Sequence, residues 1–226
     1  MKKIICTLFT IGLVAGIASA DTIIVPSSVA LTDNGDGNFL QRTGAGYWLD
    51  GSGLSDATIV ENGDTVPGVL PTHTFGYNTD AVGGYMARVR NATDGLAELT
   101  FDLGGTYEVG GVILWNNGET SGNTDRGIEN AAISWSSDGV NFTSASETLV
   151  FAESASSGDI AAQQEMLATS LPGVTHIRMA VDNFDATDAI VSFAEIRMVA
   201  VPEPATLGLI AAFGGGILFI RRRFMI

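Results

Sequence analysis

The stretch "ELTFDLGGTYEVGGVILWNNGE", residues 98–119, settles the structural class. Two apolar runs flank a glycine-rich centre, and neither has a helical period. In the first, Leu99, Phe101 and Leu103 fall on one face of a strand, because side chains alternate along β-structure. In the second, Gly111 to Asn116, apolar residues follow one another without alternation, as in a central strand buried on both faces. The flanking sequence has the same character. "AAISWSSDGVNF" (131–142) holds Ile133 and Trp135 in register and then supplies Asp138-Gly139, a hairpin pair. "HIRMAVD" (176–182) alternates Ile177, Met179 and Val181 against Arg178 and Ala180, and "SFAEIRMV" (192–199) closes the series with Ile196 and Met198. No segment between the chain ends sustains a helical period over three turns; Ile160 to Leu167 comes nearest and is short. Short strands joined by Gly, Asn, Asp and Ser clusters, without an internal repeat, predict an all-β sandwich or jelly roll.

Charge narrows the partners. The chain of 226 residues has 11 basic and 25 acidic residues. Residues 21–202 hold six of the former, all arginine, and 24 of the latter, a formal charge of −18. With no basic stripe, nucleic acid is not an expected partner. Such a polyanion suits neutral ligands, or acidic ones bridged by a divalent cation. The single cysteine, Cys6, lies in the first apolar segment, so residues 21–226 offer no disulfide or thiolate metal site.

Both ends read as export signals. Lys2 and Lys3 precede an apolar run, Ile4 to Ile17, and Ala18-Ser19-Ala20 offers the small residues a signal peptidase requires. Residues 1–20 are therefore expected to be a signal helix. At the other end, Ala205 to Ile220 has no polar face and carries three consecutive glycines, which neither a surface helix nor a buried one favours. Its 16 residues give a helix of about 24 Å. The run is therefore expected to be a marginal transmembrane helix, which Arg221, Arg222 and Arg223 would extend by snorkelling on the cytoplasmic side.

Two family resemblances rest on these residues. Phe101-Asp-Leu-Gly, Leu114-Trp-Asn, Arg126-Gly, Ser136-Ser-Asp-Gly-Val-Asn-Phe and Ala194-Glu-Ile-Arg, in that order, resemble the discoidin or coagulation-factor C-domain-like branch of the galactose-binding-like jelly rolls. The match covers residues 54–199, with residues 21–53 as an N-terminal β extension. It implies a small non-enzymatic binding module. The tail is similar to the PEP-CTERM sorting signal of Gram-negative bacteria: Pro202, Glu203 and Pro204 match the motif, and Arg221 to Arg223 match its basic end. That resemblance implies an exosortase-type membrane enzyme as partner, transient anchoring, and release to the cell envelope or an extracellular polysaccharide matrix.

Candidate site residues follow from composition and from the discoidin resemblance. His73, Tyr77, Asn116, Asn117 and Arg126 lie in polar loops, 72–79 and 116–127, and supply donors, acceptors and ring faces suited to saccharide hydroxyls. Tyr47, Trp48 and Tyr85 are further aromatics in glycine-rich stretches, whereas Trp115 and Trp135 read as core. The resemblance also implies a structural calcium between a loop bearing Glu61, Asn62 and Asp64 and a glutamate near the last strand, here Glu195. Without it, the same residues read as an Asn-Gly turn and an exposed strand glutamate. His73 and His176 are the only histidines, and neither adjoins a nucleophile motif, so no enzyme is expected. Three readings stay open at this point: a glycan-binding module, a structural envelope or matrix protein without a specific ligand, and a hydrolase built on a carboxylate pair.

Overall fold

Among the residues described by the computed structural model (20–32, 48–74, 87–90, 97–117, 123–155, 158–185 and 190–202), eight strands form one antiparallel network. They are β1 (Thr22–Ile24), β2 (Ser28–Thr32), β3 (Ala87–Arg90), β4 (Ala97–Asn116), β5 (Ile128–Ser136), β6 (Thr143–Val150), β7 (Ala162–Asn183) and β8 (Ile190–Ala200). The main path runs β1-β8-β4-β7-β5-β6, with β2 on β4 and β3 on β8.

The 20 residues of β4 would reach about 66 Å if straight, more than the roughly 40 Å across a domain of this length. The strand therefore has to bend. Its first part, Ala97 to Asp102, lies between β2 and the Val181 to His176 part of β7. Its last part, Val109 to Asn116, lies between β8 and the Leu171 to Ala162 part of β7. Register shifts between Asp102 and Gly111 separate the two. Glycines permit them: Gly104 has φ +70°, and a Cβ on Gly111 would lie 2.6 Å from the Glu165 carbonyl oxygen.

The two parts face one core. Leu99, Phe101 and Leu103 pack with Val112 and Leu114, with Ile177, Met179 and Val181 of β7, and with Ile196 and Met198 of β8, all at most 2% exposed. This is the alternation read from the sequence, and the architecture is an all-β antiparallel sandwich. Trp115 is core as expected, while Trp135 is half-buried at the core's edge.

The second layer is buried on its outer face as well. Ile113 and Trp115, opposite in direction to Val112 and Leu114, join Ile23, Val60, Ile160, Ala194 and Val199 in a second cluster beneath residues 48–74. Trp115 donates its indole N–H to the Pro71 carbonyl at 2.7 Å, fixing that covering segment to β4. Trp48 departs from the expectation of an exposed ring. It is fully buried in the main core, edge-on to Phe193 at 5.4 Å between centroids. The expected signal and transmembrane helices, in 1–19 and 203–226, lie outside the described residues; among those described, no helix is long and apolar enough to cross a membrane.

Candidate functional site

β4 and β6 end, and β5 and β7 begin, at one end of the sandwich, where β7 also finishes and β8 starts beside it. Connections 117–127, 151–161 and 184–189 therefore leave from the same place. Carboxamides bind them together. Asn116, fully buried, accepts the N–H groups of Asn117 (2.9 Å) and Ile128 (2.8 Å) at Oδ1. Its Nδ2 donates to the carbonyls of Ile128 (2.8 Å) and Ala152 (3.1 Å), so all its hydrogen-bonding capacity is used. Gly127 must be glycine here: a Cβ would lie 2.7 Å from Asn116 Oδ1.

The network continues outward. Asn117 Nδ2 donates to the Asn123 carbonyl at 2.6 Å, closing the 117–123 loop at its base. Gln163 exchanges two hydrogen bonds with the Ala152 backbone, and the Thr124 hydroxyl donates to the Glu153 carboxylate. The Phe184 N–H reaches the Asp125 carbonyl at 2.9 Å, and Asn183 Nδ2 donates to the Ile190 carbonyl at 2.7 Å. Arg126 closes a single 3-10 turn, Thr124–Arg126, and is half-buried.

His73 borders this end from the cover. Its backbone exchanges hydrogen bonds with Ile160 at 2.8 Å in both directions. The ring is fully buried, with Nδ1 2.9 Å from the Thr74 carbonyl and Nε2 3.0 Å from the Ser52 carbonyl. Burial pushes its pKa below the usual histidine value, against the opposing pull of the two carbonyls. The predicted binding residues thus divide. His73, Asn116 and Asn117 converge on the same end, through Ile160, Ala152 and Asn123, but their polar atoms bond inward. Arg126 stands at the rim, and Tyr77, with Tyr47 and Tyr85, lies outside the described residues.

Of the four expected calcium ligands, Asn62, Asp64 and Glu195 spend side-chain oxygens on the protein itself, while Glu61 is exposed. Asp64 Oδ2 accepts the Glu61 N–H at 3.0 Å, and Asn62 Oδ1 accepts the Val25 N–H at 3.1 Å. With Gly63 bonded to Ile23, this Asn-Gly turn staples β1. Glu195 is fully buried on the outer face of β8. Its Oε1 accepts from the Arg197 guanidinium and from the Gly51 N–H at 3.3 Å, while Oε2 has no hydrogen-bond partner among the described residues. Burial raises its pKa to about 7, with Arg197 opposing. The described residues contain no group of three or more His, Cys, Asp or Glu able to hold a metal. As placed, the four do not fit a calcium ion, because the oxygens of Asn62 and Asp64 serve the turn and a cation already faces Glu195. The sequence signal for that cation was Arg197 itself, two residues on along a strand and so on the same face.

No protein-family model matches the chain, and no curated protein matches it in sequence. Solved structures of similar fold include the F5/8 type C domain of a Bacteroides fragilis protein, 16% identical over 50% of this chain and 69% of that one, with a TM-score of 0.41. Another is CpGH89CBM32-5 from Clostridium perfringens in complex with GalNAc-β-1,3-galactose, 14% identical over 78% and 99%, TM-score 0.46. A third is the family 32 CBM of C. perfringens NanJ in complex with galactose, 12% identical over 79% and 98%, TM-score 0.41. At these identities no ligand-site residue carries over to this chain.

Proposed function

We propose that the chain is an exported, non-enzymatic carbohydrate-binding protein of the cell envelope or polysaccharide matrix of a Gram-negative bacterium, sorted through its C-terminal signal by an exosortase. The observation that carries the binding reading is the loop end organised around Asn116. One buried carboxamide with four hydrogen bonds, flanked by Asn117, Gln163 and Asn183, fixes the bases of three polar loops. Loops fixed at their bases lose less freedom when a ligand orders their tips. The formal charge of −18 over residues 21–202 favours a neutral saccharide over an acidic one. In this reading Asn116, Asn117 and His73 position the loops, and Arg126 and Tyr77 supply contacts to hydroxyls and a ring face. The test is a neutral-glycan panel against the wild type and the double variant Tyr77→Ala/Arg126→Ala. The wild type should bind at millimolar or tighter concentration. The variant should bind at least about tenfold more weakly, roughly 1.4 kcal/mol, with an unchanged melting temperature.

A second reading, a structural matrix protein without a specific ligand, is favoured by one observation: His73 and Asn116 spend their polar atoms on the protein's own backbone. A panel with no neutral glycan bound at millimolar concentration would put that reading in place of the first.

A further inference from the structure

We infer that Arg197 is a built-in cation that fills the place where the discoidin-like resemblance calls for calcium, so that the covering segment is fixed to the second layer by a guanidinium rather than by a metal ion. The inference rests on what surrounds that side chain. Arg197 is 3% exposed and sits among oxygens. Nη1 donates to Glu195 Oε1 and to the Ile196 carbonyl at 2.9 Å, and Nε donates to the Val60 carbonyl at 3.3 Å. A carboxylate with backbone carbonyls is the donor set a hard cation takes. Here the charge arrives on a side chain from the same strand.

The cradle spans two parts of the chain. Val60 and Gly51 belong to the cover, and Glu195, Ile196 and Arg197 belong to β8. The pair therefore bonds the cover at two points, from Glu195 to the Gly51 N–H and from Arg197 to the Val60 carbonyl. Gly51 leaves no spare room. It has φ +75°, and a Cβ there would stand 2.9 Å from Ala57 Cβ and 3.5 Å from Arg197 Nη2. A divalent ion placed against Glu195 would meet a guanidinium at close range in a buried site, where like charges repel strongly. The guanidinium is bonded to no second anionic side chain among the described residues; Asp50 is near enough to act on Glu195, and it spends its Oδ1 on the Ser52 N–H.

The test follows the full chain in mild detergent by thermal melting, with millimolar calcium, magnesium at equal ionic strength, or chelator. For the wild type the calcium and magnesium curves should share one midpoint, any common rise over chelator being the screening of a chain with a formal charge of −18 over residues 21–202. Arg197→Gln orphans a buried carboxylate and should lower the midpoint, whereas Arg197→Gln/Glu195→Gln, which removes both charges, should recover a large part of the loss. Should the single variant fail to fold, Arg197→Lys, which keeps the charge, should still fold and melt below the wild type, whereas its failure to fold beside a folded Arg197→Gln/Glu195→Gln would overturn the inference. A wild-type midpoint that rises with calcium beyond magnesium, and loses that rise in Glu195→Gln, would overturn the inference. So would an Arg197→Gln chain that melts like the wild type.

Discussion

His73 shows how one buried side chain sets a response to acid. Its ring lies between the carbonyls of Thr74 and Ser52 with no exposure to water. Burial disfavours the charged form, so the folded pKa lies below the reference value of 6.5. The unfolded chain then binds a proton near pH 6.5 that the native chain resists. Stability from this group is fully present above about pH 6.5 and is lost as pH falls from there towards the folded pKa. His73→Gln removes the proton site. Unfolding in urea at a series of pH values should show the wild type losing stability, relative to the variant, on acidification below 6.5. A difference between the two that stays constant across that range would contradict the burial argument.

At the scale of strands, the bend of β4 governs whether two layers form from one ladder. Gly111 stands where β4 meets β7 after the register shift, and a Cβ would press within 2.6 Å of the Glu165 carbonyl oxygen, a backbone atom that cannot swing aside. Gly111→Ala should cost about 1–3 kcal/mol by urea unfolding, the usual penalty for overpacking. Strands of this kind were legible in the sequence because each displays its own period. Leu99, Phe101, Leu103, Ile177, Met179 and Val181 alternate and are buried, as read. The cover was not legible. Residues 48–74 form no long strand or helix, so no period marks the side that packs, and the burial of Trp48, His73 and Glu195 beneath or within it followed only from the fold. Apart from the resemblance that made it a calcium ligand, Glu195 looked like an exposed strand residue, because alternation with Ile196 tells which face it takes. It does not tell whether that face is wet. Asn116 and Asn117 were found for their chemistry, and their inward bonding depends on carbonyls at Ile128, Ala152 and Asn123, partners that residue type alone does not reveal.

For the molecule as a whole, the tail bears on destination. Pro202, Glu203 and Pro204 follow β8 after one residue, Val201, and residues 203–226 share no alternation with the sandwich. Processing at the motif should therefore leave the fold intact. Replacing Pro202 and Pro204 by alanine should leave the uncleaved chain in the membrane fraction with an unaltered melting transition. Mass spectrometry of the wild type from its native host should find no peptide carrying Arg221 to Arg223. Recovery of that peptide from the mature wild-type protein would rule out removal of the tail.

The course of β8 has one further consequence. The strand begins at Ile190, beside the loop cluster, and ends at Ala200, paired with Thr22 of β1. Eleven residues of strand separate those points by about 33 Å. The C-terminal end of β8, which leads to the proposed sorting motif, and the candidate binding loops therefore occupy opposite poles of the sandwich. A chain tethered through that motif would thus be held at the pole opposite its loops, leaving them free of the tether.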